Sequence, residues 1–344
     1  MRKKLSIVLL SAILHLLLPG LMHAQPEKTY ESLSEALANA DKVYNLDLLT
    51  ANLKELPKEI GKLKNLRKLY LYENQLTSLP AEIGLLVNLE ELFLDENQLI
   101  TLPKEIGNLK KLKTLGLHGN ELKTLPREIG DLSNLRNLHL TENKLEKIPE
   151  EIGKLRYLQS LDISYNLLTE IPESISQLSN LQELILAHNK IIKLPASIGN
   201  IKNMLEFYAD NNQISTIPSS IAQLSKLSVM SFSKNKLTEL PQQIGQLKAL
   251  ESLYLSENKL VKLPKEIGEL SALNFLDLSD NQLTTLPPEM SKLANLVELN
   301  LYNNQIEAIP AEFIQMKNLK ELGLGGNEKL GIIPMEIQNK FSVY

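Results

Sequence analysis

One phrase of aliphatic and polar residues returns every 23 positions along most of this chain. Twelve successive steps of 23 residues separate Val43 from Leu319 without an insertion or deletion. The units open at Val43, Leu66, Leu89, Leu112, Leu135, Leu158, Leu181, Met204, Leu227, Leu250, Leu273, Leu296 and Leu319, which makes thirteen copies. Leu66, Leu69, Leu71, Asn74, Leu76, Leu79, Pro80, Ile83, Gly84 and Asn88 carry the phrase cleanly. Within it Leu69 and Leu71 alternate with polar or aromatic neighbours, the period-two signature of a strand with one buried face. Pro80 and the Glu-Ile-Gly run after it end that pattern. Each unit is therefore predicted as a strand, a turn and a short helical or irregular return.

No such unit folds alone. Its roughly seven inward aliphatics are worth about 1.5–3 kcal/mol each when fully buried, but ordering 23 residues costs about 1–2 kcal/mol of backbone entropy apiece. Stacked neighbours must cover both flanks, so the chain is read as a solenoid stabilised by adjacent pairs, with special units closing its ends.

A column of asparagines, Asn74, Asn97, Asn120, Asn143, Asn166, Asn189, Asn212, Asn235, Asn258, Asn281, Asn304 and Asn327, recurs where each strand bends. A carboxamide offers two donors and an acceptor, and a buried polar group left unpaired costs about 1–3 kcal/mol. The column is accordingly read as structural, tying backbone groups of its own and the neighbouring turn. The recurring Gly and Pro are read as backbone devices.

On these residues the chain resembles the leucine-rich repeat family. The Leu-Pro-x-Glu-Ile-Gly-x-Leu-x-Asn-Leu phrase is similar to the 23-residue class of many bacterial proteins and some eukaryotic intracellular signalling proteins. The resemblance runs from Val43 to about Pro334. It implies an α/β solenoid: a leucine-rich repeat horseshoe of about thirteen repeats, with a parallel sheet on the concave face and short helical or irregular convex segments. Members bind unrelated partners, so the fold alone does not choose a function.

The ends read differently. Arg2, Lys3 and Lys4 precede an apolar run from Leu5 to Leu18, followed by Pro19, Gly20 and the small Ala24, so residues 1–24 are expected to be a cleaved signal peptide. The run is short of the roughly 20 residues that span a bilayer, and no transmembrane span is expected after cleavage. Residues 25–42 are expected to form a helical cap, with Ser32 and Glu35 at capping-box spacing. Repeats one to twelve then occupy 43–318. Residues 319–344 are expected to hold the last repeat and a closing cap, where Pro334 falls one residue late after Asn327, and no appended catalytic domain is expected.

The chain has no cysteine, which excludes a lipid-modified cysteine and disulfide-bonded caps; in an exported chain this leans the source toward bacteria. Its formal charge is −4, and losing Arg2, Lys3 and Lys4 with the leader would make it −7. Nucleic acid is thereby disfavoured as a partner.

In the family the resemblance points to, positions three, five, seven and eight of each unit face the hollow. There this chain places fifteen carboxylates, Asp47, Glu73, Glu91, Asp95, Glu96, Glu142, Asp162, Glu183, Glu206, Asp210, Glu257, Asp277, Asp280, Glu298 and Glu321, against Lys68 and Lys234. The same positions hold Tyr70, Tyr72, Phe93, Tyr165, Tyr208, Tyr254, Phe275 and Tyr302, half of the ten Tyr and six Phe in the chain. Acidic strand faces keep a long sheet soluble; they also steer basic partners. Aromatic residues pack across strands; they are also frequent binding hot spots. Two aromatic groups are expected, Tyr70 with Tyr72 and Phe93, and Tyr254 with Phe275 and Tyr302.

Chemistry is harder to find. His118, His139 and His188 all fall on this face, and either a zinc site on His118 and His139 or a relay of Ser160, His139 and Asp162 can be drawn. A flat strand face supplies neither a water-excluding pocket nor oxyanion donors, so no catalytic residue, metal or cofactor is expected. Asp277, Asp280 and Glu257 lack the loop of a calcium site. Units eight and nine exchange the usual leucines for Phe207 with Ala209 and Met230 with Phe232, which is either a kink or drift.

The expected function is non-catalytic protein binding by an exported bacterial protein. A basic protein or peptide would dock on Tyr70, Tyr72, Glu91, Phe93, Asp95, His139, Asp162, Tyr165, Tyr208, Asp210, Tyr254, Glu257, Phe275, Asp277 and Tyr302. Host-cell or matrix adhesion is what the resemblance to secreted bacterial members implies. An envelope scaffold with a self partner is the alternative, and hydrolase or lyase activity a remote third. The compartment is extracellular, cell surface or periplasm.

Overall fold

The computed structural model describes residues 28–344, so the leader expected at 1–24 lies outside them. Fifteen parallel strands follow one another in chain order in a single sheet. Thirteen are the three-residue strands of the repeats, from Asn45–Asp47 to Glu321–Gly323. The outer two, Thr29–Tyr30 and Ser342–Val343, pair with the first and last repeat strands. Every repeat pairs with the next at the same position, as in Lys68 to Glu91 and Leu69 to Leu92. This is the solenoid that the 23-residue period predicts, with the parallel sheet that the resemblance implies.

The convex returns are 3₁₀ turns, mostly five residues long, from Lys58–Lys62 to Ala311–Gln315. A proline precedes most of them in extended conformation, and its carbonyl accepts the first turn bond, as from the Ile60 N–H to Pro57 at 3.0 Å. Successive turns pack backbone on backbone. A Cβ on Gly84 would lie 2.6 Å from the Glu105 carbonyl oxygen, which explains the recurrent glycine. The helix Leu33–Ala38 starts at Ser32, whose Oγ accepts from the Glu35 N–H at 3.4 Å. Glu35 spends its carboxylate on Lys28 at 2.6 Å.

Between sheet and turns lies one continuous core. Leu69, Leu71, Leu76 and Ile83 are fully buried, as are most of their counterparts along the solenoid. Phe207 and Phe232 are also buried and meet edge to face at 5.1 Å, and the strand register runs through them unbroken.

The asparagine column is buried beneath the bend. In the sixth repeat, Asn166 Nδ2 donates to the carbonyls of Leu140 at 2.9 Å, Ile163 at 3.2 Å and Ser164 at 3.0 Å. Its Oδ1 accepts from the Leu145 N–H at 2.9 Å. Two of these four partners belong to the preceding repeat. The Leu140 carbonyl also receives Asn143 at 3.1 Å, so amides and carbonyls alternate from coil to coil. A second asparagine row, exposed, does similar work on the other flank: Asn65 donates to the Asp41 carbonyl at 2.9 Å and Asn180 to that of Arg156 at 2.7 Å.

Position eight leaves each strand in the left-handed region, with φ from 51° to 57° at Glu73, Glu96, Glu142, Tyr165, His188, Lys234 and Glu257 among others. Gly119 and Gly326 take the same place at no steric cost.

Asn166→Ala leaves the buried Leu145 N–H without its acceptor, and should destabilise the chain by about 2–3 kcal/mol in urea denaturation. The exposed Asn180→Ala should cost less than about 1 kcal/mol.

Candidate functional site

Because the repeat strands are only three residues long and stay in register, equivalent side chains form columns across the concave face. Neighbouring strands stand about 4.8 Å apart. Residues at positions three, five and seven are mostly half-buried against one another, whereas those at position eight are mostly exposed.

The first aromatic group is assembled. Tyr70 lies 5.6 Å from Phe93, Tyr72 lies 5.1 Å from Phe93, and the two tyrosines are 6.2 Å apart, all with nearly parallel planes. The Tyr70 hydroxyl donates to Glu91 at 3.2 Å. Burial, and then the Asp95 carboxylate, push the Tyr72 hydroxyl well above its usual range. At the other end Tyr254 and Phe275 meet at 4.9 Å, but Tyr302 lies over Gly325 on a different column. Midway, Tyr165 stacks on His188 at 4.0 Å, and Tyr208 donates to Glu206 at 2.7 Å.

The carboxylates divide into two kinds. The position-six carbonyl of each coil is taken by asparagine amides, and the N–H of position seven finds a side-chain acceptor in six repeats. Asp47 accepts from Leu49 at 3.0 Å, Asp162 from Ser164 at 2.9 Å, Asp277 from Ser279 at 3.0 Å and Asn300 from Tyr302 at 3.1 Å. Asp95 and Asp210 reach across to the next repeat, accepting from the N–H groups of His118 at 3.0 Å and Ser233 at 2.9 Å. Five of the fifteen acids therefore cap the backbone as well as charging the face. Sequence reasoning missed this role, although an Asp two residues before Ser, as in Asp162 with Ser164, is its local signature.

The remaining acids are glutamates and Asp280. Both lysines on the face are already engaged, Lys68 with Glu91 at 2.9 Å and Lys234 with Glu257 at 3.2 Å. Glu298 stands in direct register with Glu321; burial, then Glu321 and Asp277, hold its carboxyl above the ordinary value. Burial likewise raises that of Asp95.

The relay drawn from the sequence is not assembled. Ser160 donates its hydroxyl to Glu183 at 2.5 Å, and Asp162 accepts the hydroxyl of Ser164 at 2.6 Å. His139 is the register partner of Asp162. His118 is held by Glu96 at 3.0 Å and by the Thr141 carbonyl at 3.2 Å. Among the described residues no group of three His, Asp or Glu side chains is placed to hold a metal ion. None of their helices is long and apolar enough to cross a membrane.

Comparison with known proteins follows the same geometry. The leucine-rich repeat region model matches residues 36–118 and 126–211, and the leucine rich repeat model matches 206–260 and 271–328. No curated protein matches the chain. Among solved structures it is similar to an LRR protein of Leptospira interrogans, with 36% identity over 93% of this chain and 100% of that one and a TM-score of 0.58. It is similar also to the plant peptide hormone receptor RGFR1 in complex with RGF2, with 40% identity, 82% of this chain and 48% of that one covered, and a TM-score of 0.74. An internalin (InlF) of Listeria monocytogenes shares the fold at 24% identity, covering 86% and 84% of the two chains with a TM-score of 0.71. The chain thus spans the whole Leptospira protein but about half of the plant receptor.

A carboxyl raised in the folded state penalises folding above its folded pKa, and the penalty vanishes as pH falls below the ordinary 4.5. Glu298→Gln should therefore raise the melting temperature at pH 7 and leave it unchanged near pH 4, read by circular dichroism.

Proposed function

The chain belongs to the leucine-rich repeat family, and we propose that its concave face docks a basic protein or peptide without catalysing a reaction. One observation carries the reading. Both lysines among the fifteen carboxylates are already paired with glutamates, so the face keeps a negative excess that no basic side chain at its own strand positions offsets.

That excess accelerates encounter with a cationic partner more than it tightens the complex. Affinity then comes from ring surfaces set among polar groups: the Tyr70, Tyr72 and Phe93 stack at one end and the Tyr254 and Phe275 pair at the other. Glu91, Asp95, His139, Asp162, Tyr165, Tyr208, Asp210, Glu257, Asp277 and Tyr302 line the surface between and beside them. A peptide hormone receptor of similar structure that was solved with its ligand supports a peptide-sized occupant.

The likeness to a Leptospira protein over the whole of that chain and the leader-like residues 1–24 support an exported bacterial protein, at the cell surface, in the periplasm or outside. Attachment to host cells or matrix is the biological form this proposal takes.

Titration of the purified chain with matched lysine-rich and glutamate-rich peptides tests it, by fluorescence anisotropy. Only the basic peptide should bind. Its affinity should fall at least tenfold between 50 and 200 mM salt, as the Debye length shortens, and about fivefold or more on Tyr254→Ala. Equal binding of both peptides, or indifference to salt, contradicts the proposal.

A further inference from the structure

The flank on which each coil returns from its convex turn to its strand carries charge of the opposite sign to the hollow. In the first nine repeats its positions two, twenty, twenty-two and twenty-three hold twelve Lys and Arg, every one exposed, against two acids, Glu90 and Asp131. The opposite flank, at positions ten, twelve and thirteen of the same repeats, is nearly balanced, with seven Lys against five Glu. The basic excess is therefore local, in a chain whose formal charge is −4. Because the strands follow one another in register, the starts of all the coils lie on one side of the stack.

Position twenty-two is the most regular lane. Lys64, Lys110, Arg156, Lys202 and Lys248 occupy it in every second repeat, and no acid falls between them. Two coils span about 10 Å along the stack, so the lane presents one cation about every 10 Å. Their contacts leave most of that charge in place. Lys110 donates to the Asp131 carbonyl at 2.9 Å, with the carboxylate at 3.9 Å. Arg156 donates to the Gln177 side chain at 3.1 Å and Lys202 to that of Gln223 at 2.5 Å. Neutral oxygens thus lay these side chains along the flank without neutralising them, although Lys248 meets Glu269 at 3.1 Å. Beside the lane, Lys111 donates to Asn88 at 2.7 Å and Arg67 stands over the Tyr44 ring at 5.3 Å.

Apolar side chains stand among these cations. Val87 occupies the lane between Lys64 and Lys110 and is half exposed, as is Leu85 two residues before it. Tyr157 follows Arg156 with 58% of its surface exposed.

We propose that this flank docks on an anionic lipid surface, its cations against the headgroups and Leu85, Val87 and Tyr157 entering the interface. A short acidic peptide meets few cations set about 10 Å apart, whereas a charged surface meets the whole lane. A soluble polyanion has no use for exposed Leu, Val and Tyr, whereas such side chains at headgroup depth add to electrostatic attachment. The same surface repels the acids of the hollow, which stays open to its own partner. Docking on lipid does not depend on what the hollow binds.

Co-sedimentation of the full chain with vesicles tests this, comparing phosphatidylcholine alone with phosphatidylcholine mixed with phosphatidylglycerol. The mixed vesicles should carry down far more of the chain. Each basic side chain near an anionic surface is worth about fivefold in affinity, so Lys64→Glu, Lys110→Glu, Arg156→Glu and Lys202→Glu together should weaken binding at least about tenfold. The same charge change on the opposite flank, with Lys144→Glu, Lys147→Glu, Lys190→Glu and Lys193→Glu, should leave it within about twofold. Val87→Ser with Tyr157→Ser should weaken it about threefold or more. Residues 1–24 are the same in every variant, so differences among variants report the flank. If the first variant melts early by circular dichroism, Lys64→Gln, Lys110→Gln, Arg156→Gln and Lys202→Gln should still cost about fivefold or more. No preference for the mixed vesicles, or equal binding by the two charge-reversed variants, overturns the lipid-docking flank. Mixed-vesicle binding untouched by Val87→Ser with Tyr157→Ser also overturns it, and assigns the flank to a soluble polyanion such as a sulfated polysaccharide.

Discussion

Everything in this molecule depends on how the backbone is satisfied where each strand turns into the interior. A chain that bends under its own sheet strands carbonyl and N–H groups away from water, and each unpaired group costs as much as a sizeable fraction of a domain's stability. The buried asparagine resolves this by bonding two coils at once, as Asn166 does with Leu140 and Leu145 of the repeat before it. An amide that must reach a fixed place on its neighbour requires strand and bend to stay in register from coil to coil. The unbroken 23-residue period is the trace of that requirement in the sequence.

The same constraint reaches the concave face. Because asparagine amides occupy the position-six carbonyls, position-seven N–H groups turn to side chains, and Asp47, Asp95, Asp162, Asp210 and Asp277 answer them. Part of the negative charge on the hollow is thus a by-product of folding. Glu298, held in register against Glu321 with its carboxyl raised by burial and by that neighbour, works against folding at neutral pH, and a cationic partner on the face would relieve it. On the proposed docking function, structure and recognition share residues, Asp95 among them.

Much of this was legible from the chain itself. Leu69 and Leu71 announce the strand, and the asparagine column announces the bend, because both are chemically uniform from repeat to repeat. The left-handed turn at position eight was hidden, since Glu73, Tyr165, His188 and Lys234 share no side-chain chemistry, only a φ near 50–57°. The 3₁₀ character of the convex returns escaped for a similar reason: a five-residue Pro-led segment is too short for periodicity to tell it from an α-turn. The exposed asparagine row was in plain view at Asn88, but its role needed the neighbouring carbonyl of Lys64 to be seen. Tyr302 was grouped with Tyr254 and Phe275 by sequence distance, although it stands on another column over Gly325.

If repeat-to-repeat amide bonding is what holds the solenoid, then one whole coil is dispensable and one residue of register is not. Excision of residues 158–180, a complete 23-residue repeat, joins the fifth coil to the seventh with every bond type restored. Thermal and urea unfolding followed by circular dichroism should show a folded, cooperative protein only modestly less stable than the full chain. Excision of 22 residues from the same place should unfold the region. Equal tolerance of both excisions, or collapse of both, would contradict the account.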